Sequence, residues 1–246
     1  MAKGITRERL VAAALDVLDD GGIDAVTVRA VAQRLDVKAP ALYWHVRNKQ
    51  ALLDEMGTEI QRRVQTSLRG LIPSRSWLDD LDRYARVLRA EYLAHRDGAR
   101  SFSGTRLTDP GVLREQEPWL EGWTRGGLAL EDALDAVQTI TAFVVGFVIE
   151  EQERAQSDVS DPTRYDPERR DSAVGDDAPL VRAGGHVRGT PDEQFDRQLA
   201  IVRAGLVAAI GTVDPVGAPE TESSQAESSQ TESSQAAPPP RRRSER

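Results

Sequence analysis

Between Ala25 and Gln50 the cations are Arg29, Arg34, Lys38, Arg47 and Lys49, and the only anion is Asp36. Acidic residues crowd both sides, with Asp16, Asp19, Asp20 and Asp24 before the stretch and Asp54, Glu55 and Glu59 after it. Within it runs Leu42-Tyr43-Trp44-His45-Val46. Leu42 and Val46, four apart, can anchor a short helix to a core, which turns Tyr43, Trp44 and His45 around its remaining face. Clustered guanidinium and ammonium groups can bind phosphates. Large aromatics on a short exposed helix cost solubility unless something covers them. Such a patch is either a local DNA contact or a solvated basic face with half-buried aromatic spacers. The formal net charge is −8, so binding must come from this local patch and not from the field of the whole protein.

Material for catalysis is thin. The 246 residues include no cysteine, which removes disulfides, thiolate zinc sites and thiol nucleophiles together. The only histidines are His45, His95 and His186. His45 lies on the reading segment, His186 in a polar stretch, and His95 at a helix end where a cap is the simpler role. Glu150, Glu151 and Glu153 cluster without a histidine beside them. Neither a phosphate-cradling glycine loop nor a nucleophile turn occurs. A non-enzyme is expected, with no cofactor and no metal. No apolar run approaches the ~18 residues of a membrane span, and Met1 to Thr6 lacks a signal-peptide core. These features predict a cytoplasmic protein with no membrane partner.

The elements that must hold the patch are helical. A first helix is predicted from about Thr6 to Asp20, with Thr6 as N-cap, Leu10, Val11, Ala14, Leu15 and Leu18 on one face, and Gly21-Gly22 as the stop. Thr27 caps a second, short helix with Val28, Val31, Ala32 and Leu35 inward. Asp36 to Lys38 form a tight connection, and a third helix is predicted from Ala39 to Val46 with Pro40 in its first turn. Asn48 caps a fourth from Lys49 to about Arg69. This is a helix–turn–helix arrangement.

Beyond Pro73 a larger helical domain is predicted. Trp77, Leu81, Tyr84 and Leu88 recur at helical spacing, and a segment from about Pro110 to Arg125 carries Leu113, Trp119, Leu120 and Trp123. The next helix, about Glu131 to Ala155, is apolar nearly all round between Val137 and Ile149, and so needs burial on two sides. With the last helix, about Pro191 to Ile210, it forms half of an expected homodimeric four-helix interface. Gln156 to Thr190 lacks periodicity and is expected to be a long mobile loop. From Asp214 onward, Glu-Ser-Ser-Gln repeats, prolines and Arg241, Arg242 and Arg243 are expected to be disordered.

The runs Ile23-Asp24-Ala25-Val26-Thr27-Val28-Arg29 and Leu42-Tyr43-Trp44-His45-Val46-Arg47-Asn48-Lys49 resemble the DNA-binding domain of the TetR family, most closely its tetracycline-responsive members. Arg96-Asp97-Gly98-Ala99, Gly104-Thr105-Arg106 and Gly146 to Glu153 resemble parts of that family's ligand-binding domain. The resemblance implies an all-α fold with a DNA-binding domain at 1–50, a ligand-binding and dimerisation domain at 51–212 and a tail at 213–246. It implies a homodimeric repressor on a palindromic double-stranded DNA operator, released by a small-molecule inducer. Thr27, Arg29, Lys38, Ala41, Tyr43, Trp44, His45 and Lys49 would contact DNA. Gln65, Tyr84, Leu88, Phe102, Thr105, Arg106, Trp119, Trp123, Phe147 and Glu150 would contact the ligand.

Departures matter as much. Ala39 stands where the tetracycline-responsive members have glutamine, so the operator should differ. Phe102 replaces the histidine that binds the drug's magnesium ion, Gln65 a histidine, Tyr84 an asparagine and Trp119 a glutamine. Phenylalanine cannot ligate magnesium. The implied inducer is therefore a flat aromatic or polyketide-like, antibiotic-type molecule, and the controlled gene an exporter or a biosynthetic gene. The alternative from the binding class is a constitutive architectural DNA-binding protein without an inducer.

Overall fold

The computed structural model describes residues 4–69 and 76–211, and among these there are helices and turns but no strand. The predicted tail at 213–246 lies outside the described residues. Helix α1 (Arg7–Gly21) starts where Thr6 accepts the Arg9 amide, and buries Leu10, Val11, Ala14, Leu15 and Leu18. It ends at Gly22, whose φ of +74° suits glycine and whose N–H returns to the Leu18 carbonyl at 2.7 Å. Helix α2 (Val28–Arg34) is capped by Thr27, whose hydroxyl accepts the Ala30 amide at 3.0 Å.

The segment predicted as a third α-helix is shorter. A 3-10 helix spans Ala39–Ala41, followed by a turn in which the His45 and Val46 amides both donate to the Leu42 carbonyl at 2.9 Å. Only Leu42 and Val46 are buried here, too little packing to offset the nucleation cost of a continuous short helix. Helix α3 (Lys49–Arg69) then runs from a cap in which Asn48 accepts the Ala51 amide at 2.8 Å.

The second half comprises α4 (Trp77–Leu93), α5 (Gly98–Phe102), α6 (Pro110–Arg114), α7 (Glu117–Arg125), α8 (Leu130–Ser160), α9 (Pro167–Val174), α10 (Pro179–His186) and α11 (Pro191–Ile210). Helix α8 buries Ala133, Ala136, Ile140, Val144 and Val148 on one stripe, and α11 packs on it through Phe195 and Leu199. Arg89 of α4 binds Glu151 at 2.7 and 3.0 Å and Asp192 at 2.8 Å, and lies 4.7 Å over the Phe195 ring, tying three helices together. Against expectation, α8 is long and apolar enough by length and composition to cross a membrane. Its central stripe is nonetheless a buried part of the protein core.

A second correction concerns 156–190. Helix α8 continues to Ser160, and the rest is a pair of packed helices, α9 and α10. Asp166 caps α9 by accepting the Glu168 amide. The two helices are joined by His186 on Asp171 at 2.6 Å and by Arg170 donating to the Val181 carbonyl at 2.6 Å. Because these contacts are polar, no apolar periodicity announces them.

The two halves meet around Asp97, which takes a left-handed φ of +54° before α5. Its carboxylate accepts the Ile23 amide at 3.0 Å and the Gln156 amide at 2.8 Å. Gln156 is thus a clamp residue and not part of a loop. Beside it, His95 binds Asp19 at 3.0 Å through Nδ1 and Arg63 at 3.2 Å through Nε2. A guanidinium only donates, so Nε2 accepts and Nδ1–H donates to Asp19. Burial raises the pKa of Asp97, but the hydrogen bonds from Gln156 and Ile23 outweigh it and hold the carboxyl below its ordinary value. A depressed folded pKa contributes stability above the unfolded pKa of about 3.9, lost as pH falls through the folded value. Asp97→Asn, which tolerates the left-handed backbone, is expected to lower stability by about 1–2 kcal/mol at neutral pH. In thermal melts that loss should shrink as the buffer is taken below about pH 4. An equal loss in acid would show that the charge is not what holds this junction.

Candidate nucleic-acid interface and ligand cavity

The reading surface is built on a small core. Val26, Val28, Val31, Ala32, Leu42 and Val46 are buried, which fixes α2 and the 3-10 segment against α1 and α3. Thr27, Arg29, Lys38, Tyr43, Trp44, His45 and Lys49 are exposed, and Ala41 is half-buried. Trp44 is 91% exposed and Tyr43 54%. An indole left in water to that extent has no packing role in this chain. Arg34 is held by Asp16 and Asp20, whereas Arg29, Lys38 and Arg47 form no ion pair among the described residues. Thr27 is engaged as the α2 cap, and Lys49 donates to the Ile23 carbonyl at 2.8 Å. These two residues therefore shape the surface as well as standing on it. Arg47 is exposed on the same segment and was absent from the expected contacts, although its place in the basic stretch is a readable signal.

A cavity of about 580 Å³, counting the part open to solvent, lies among α3, α4, α7 and α8. Gln65, Tyr84, Trp119 and Trp123, expected from the sequence as ligand contacts, line it. Tyr84 pairs its hydroxyl with Thr141 at 3.0 Å. Burial pushes its phenol above the ordinary value against the opposing effect of that bond. Trp123 donates its indole N–H to Asp80 at 3.0 Å. Gln61, Asp80 and Gln116 also line the wall and were missed. Their signal is helical spacing: Gln61 sits four before Gln65, Asp80 four before Tyr84, and Gln116 three before Trp119. Helix α7 has no fully buried residue despite its two tryptophans, as suits a helix that faces a hollow.

The other predicted ligand residues lie elsewhere. Leu88 is in the core, and Phe102 is buried with its ring 6.0 Å from Tyr92 and 6.1 Å from His95. Neither lines the cavity. Thr105 turns its hydroxyl onto the Phe102 carbonyl at 2.8 Å, and Arg106 reaches Asp54 at 3.2 Å with its side chain 84% exposed. Phe147 and Glu150 line a second, more polar hollow of about 1320 Å³ between α8 and α11, with Arg154, Arg188 and Gln194. There Phe147 packs edge-on against Phe195, ring centroids 5.1 Å apart. The predicted list is thus divided among the first cavity, the second hollow, the core and the 105–106 turn.

Comparison with known proteins assigns both halves. The family described as bacterial regulatory proteins, tetR family, matches residues 10–56, and the tetracyclin repressor-like C-terminal domain matches residues 71–210. The class A tetracycline repressor of transposon 1721 from Escherichia coli is 36% identical over 203 residues, covering 80% of this chain and 88% of that protein. A possible TetR family transcriptional regulator from Streptomyces coelicolor A3(2) superimposes with a TM-score of 0.68 at 33% identity, covering 83% of this chain and all of that one. ActR from Streptomyces coelicolor, in complex with actinorhodin, gives a TM-score of 0.67 at 29% identity, covering 84% and 97%.

The placement of Phe102 has a measurable consequence. Phe102→Ala is expected to cost about 3–5 kcal/mol, the usual price of an aromatic lost from a core. Gln65→Ala, on the cavity wall, should stay within about 1 kcal/mol. Denaturant melts of the two variants distinguish a packing residue from a wall residue.

Proposed function

Because the chain belongs to the TetR family of bacterial transcriptional regulators, we propose that it is a homodimeric repressor of a palindromic operator, released by a flat aromatic molecule. The observation that carries this reading is one helix with two duties. Helix α3 begins at Lys49 beside the reading segment and lines the cavity with Gln61, Gln65 and Leu68. At 1.5 Å per residue, Lys49 and Gln65 stand about 24 Å apart on a single rod. A ligand that packs on one end therefore has a mechanical route to the other. Occupancy favours a wider-spaced state, in which two recognition segments no longer match successive major grooves.

The second copy packs on α8 and α11. Leu134 and Ile201 are exposed there, with Val145, Ile149 and Val202 only half-buried. Such a surface suits a partner helix pair. Magnesium–tetracycline does not suit the cavity, whose wall has no imidazole among the described residues. Tyr84, Trp119 and Trp123 suit a polycyclic aromatic, and the controlled gene would then export or build such a compound.

The test is fluorescence anisotropy on DNA from upstream of the chain's own gene, titrated with aromatic polyketides and, separately, with tetracycline plus magnesium. Release by a polyketide alone is the expected result, and binding that nothing releases would favour a constitutive architectural protein. Trp44→Ala should lose about 1–3 kcal/mol of operator binding. Its melting curve and its sedimentation as a dimer should match the parent, since the indole packs against nothing within the chain. A Trp44→Ala protein that keeps full operator affinity would remove this segment from the interface.

A further inference from the structure

We infer that His95 is a proton-operated latch between α1 and α3, and that protonating it loosens the reading half and weakens operator binding. The inference adds a regulation to the repressor reading, and its operator consequence rests on that reading. The side chain of His95 is 8% exposed. Nδ1 lies 3.0 Å from Asp19 near the end of α1, and Nε2 lies 3.2 Å from the Arg63 guanidinium in α3. Only the neutral ring with its proton on Nδ1 satisfies both partners, because a guanidinium has no lone pair to offer Nε2. Protonation turns Nε2 into a second donor, and two cations then face each other across a contact that has lost its acceptor. The α1 arm survives, since an imidazolium still donates to the Asp19 carboxylate. The α3 arm does not.

The groups around the ring decide which arm yields. From α1, Asp19 faces Nδ1 and also accepts the Arg96 amide at 3.2 Å, while Asp20 offers its backbone carbonyl to the Arg96 guanidinium. From α3, Arg63 faces Nε2 and is held in turn by Glu59 at 3.2 Å. Phe102 of α5 packs a neutral ring at right angles, centroids 6.1 Å apart, and Arg100 of the same helix is engaged by Glu153 of α8 at 3.1 Å. Gln152 of α8 donates to the His95 carbonyl at 2.7 Å. Asp97, two residues on, is occupied by Ile23 and Gln156. When the imidazole turns cationic, Arg63 has Glu59 and water to retire to, its side chain being 40% exposed. Its place on the helix gives this movement a consequence. Gln61 and Gln65, two residues to either side of Arg63, line the cavity, and Lys49 begins the same helix beside the reading segment. A proton on His95 therefore acts on the turn of α3 that a ligand would press. Depleting the operator-competent arrangement weakens apparent binding in proportion.

The experiment uses the full-length protein. Long-range proton–nitrogen NMR spectra of the imidazole rings are recorded from about pH 8 to about pH 5.5, the range over which histidine ordinarily changes charge. The chain's only histidines are His45, His95 and His186, so the His45→Gln and His186→Gln variants assign the signals. His95 is expected to carry its proton on Nδ1 at the upper pH and to be protonated on both nitrogens at the lower. Operator affinity is measured at the same two pH values for the parent and for His95→Gln, whose amide oxygen keeps an acceptor for Arg63 and does not titrate. The parent should lose about tenfold in acid relative to His95→Gln, the usual effect of losing one hydrogen bond to a charged group. His45 stands in the reading segment of both proteins, so its protonation cancels in that ratio. A proton on Nε2 at the upper pH, or a ring still neutral at the lower, overturns the latch. So does an equal change in the two proteins. Absence of operator binding at either pH overturns the repressor reading instead, and the ring spectra still decide the latch. They decide it equally where His95→Gln fails to fold.

Discussion

The buried carboxylate of Asp97 is the contact on which the arrangement of the two halves depends. It joins the end of α1 to α5 and α8 by accepting the Ile23 amide and the Gln156 side chain. Its neighbour His95 joins the same end of α1 to the middle of α3 through Asp19 and Arg63. Gly22 completes the fit, since a Cβ there would lie 2.6 Å from the Asp97 carboxylate. The DNA-reading elements are therefore held to the ligand half by directional polar bonds as well as by a shared apolar core. Polar bonds of this kind have defined geometry and modest net strength. That combination lets a junction keep one register and still be shifted by a ligand.

Aromatic residues divide along the same line. Trp44 stands almost wholly in water and Tyr43 about half so. Phe143, Phe147 and Phe195 pack on one another where α8 and α11 meet. Tyr84, Trp119 and Trp123 occupy the intermediate condition, packed against the core on one side and facing the cavity on the other. Under the proposed function, the three environments correspond to three tasks: contact with another macromolecule, cohesion, and contact with a small molecule.

Much of this was legible before any coordinates. The caps Thr6, Thr27 and Asn48 mark helix starts because their side chains have one local partner, the third amide ahead. The α8 and α11 stripes follow from apolar spacing. The α9–α10 pair did not, because its cohesion comes from Asp171, His186 and Arg170, which read as a solvated stretch. Phe102 was read as wall where a histidine is expected by resemblance. Correspondence of position carries no information on which way a new side chain turns, and a phenyl ring beside Tyr92 and His95 turns inward. Asp80 was overlooked for a related reason. Its place on the wall follows from the indole N–H it accepts from Trp123 on another helix, which spacing along the chain does not show.

The energetics set a condition on how the cavity can act. Moving a two-state equilibrium from about 1:99 to 99:1 takes roughly 5.5 kcal/mol of differential affinity. A polycyclic ligand that buries about 200 Å² of apolar area gains some 5 kcal/mol in all. Even the whole of that gain falls just short of so complete a shift, so it must be confined to one state, with the wall complete in one arrangement of helices and open in the other. Helix α7 meets this condition best. It packs on α8, has no fully buried residue, and brings Trp119, Leu120 and Trp123 to the cavity. Its one indole bond, to Asp80 on α4, makes the position of that wall depend on a charge, and α4 in turn packs against the α3 rod that starts at the reading segment. A ligand that packs against Trp119 and Trp123 would therefore act where the wall meets the helix that leads to the rod.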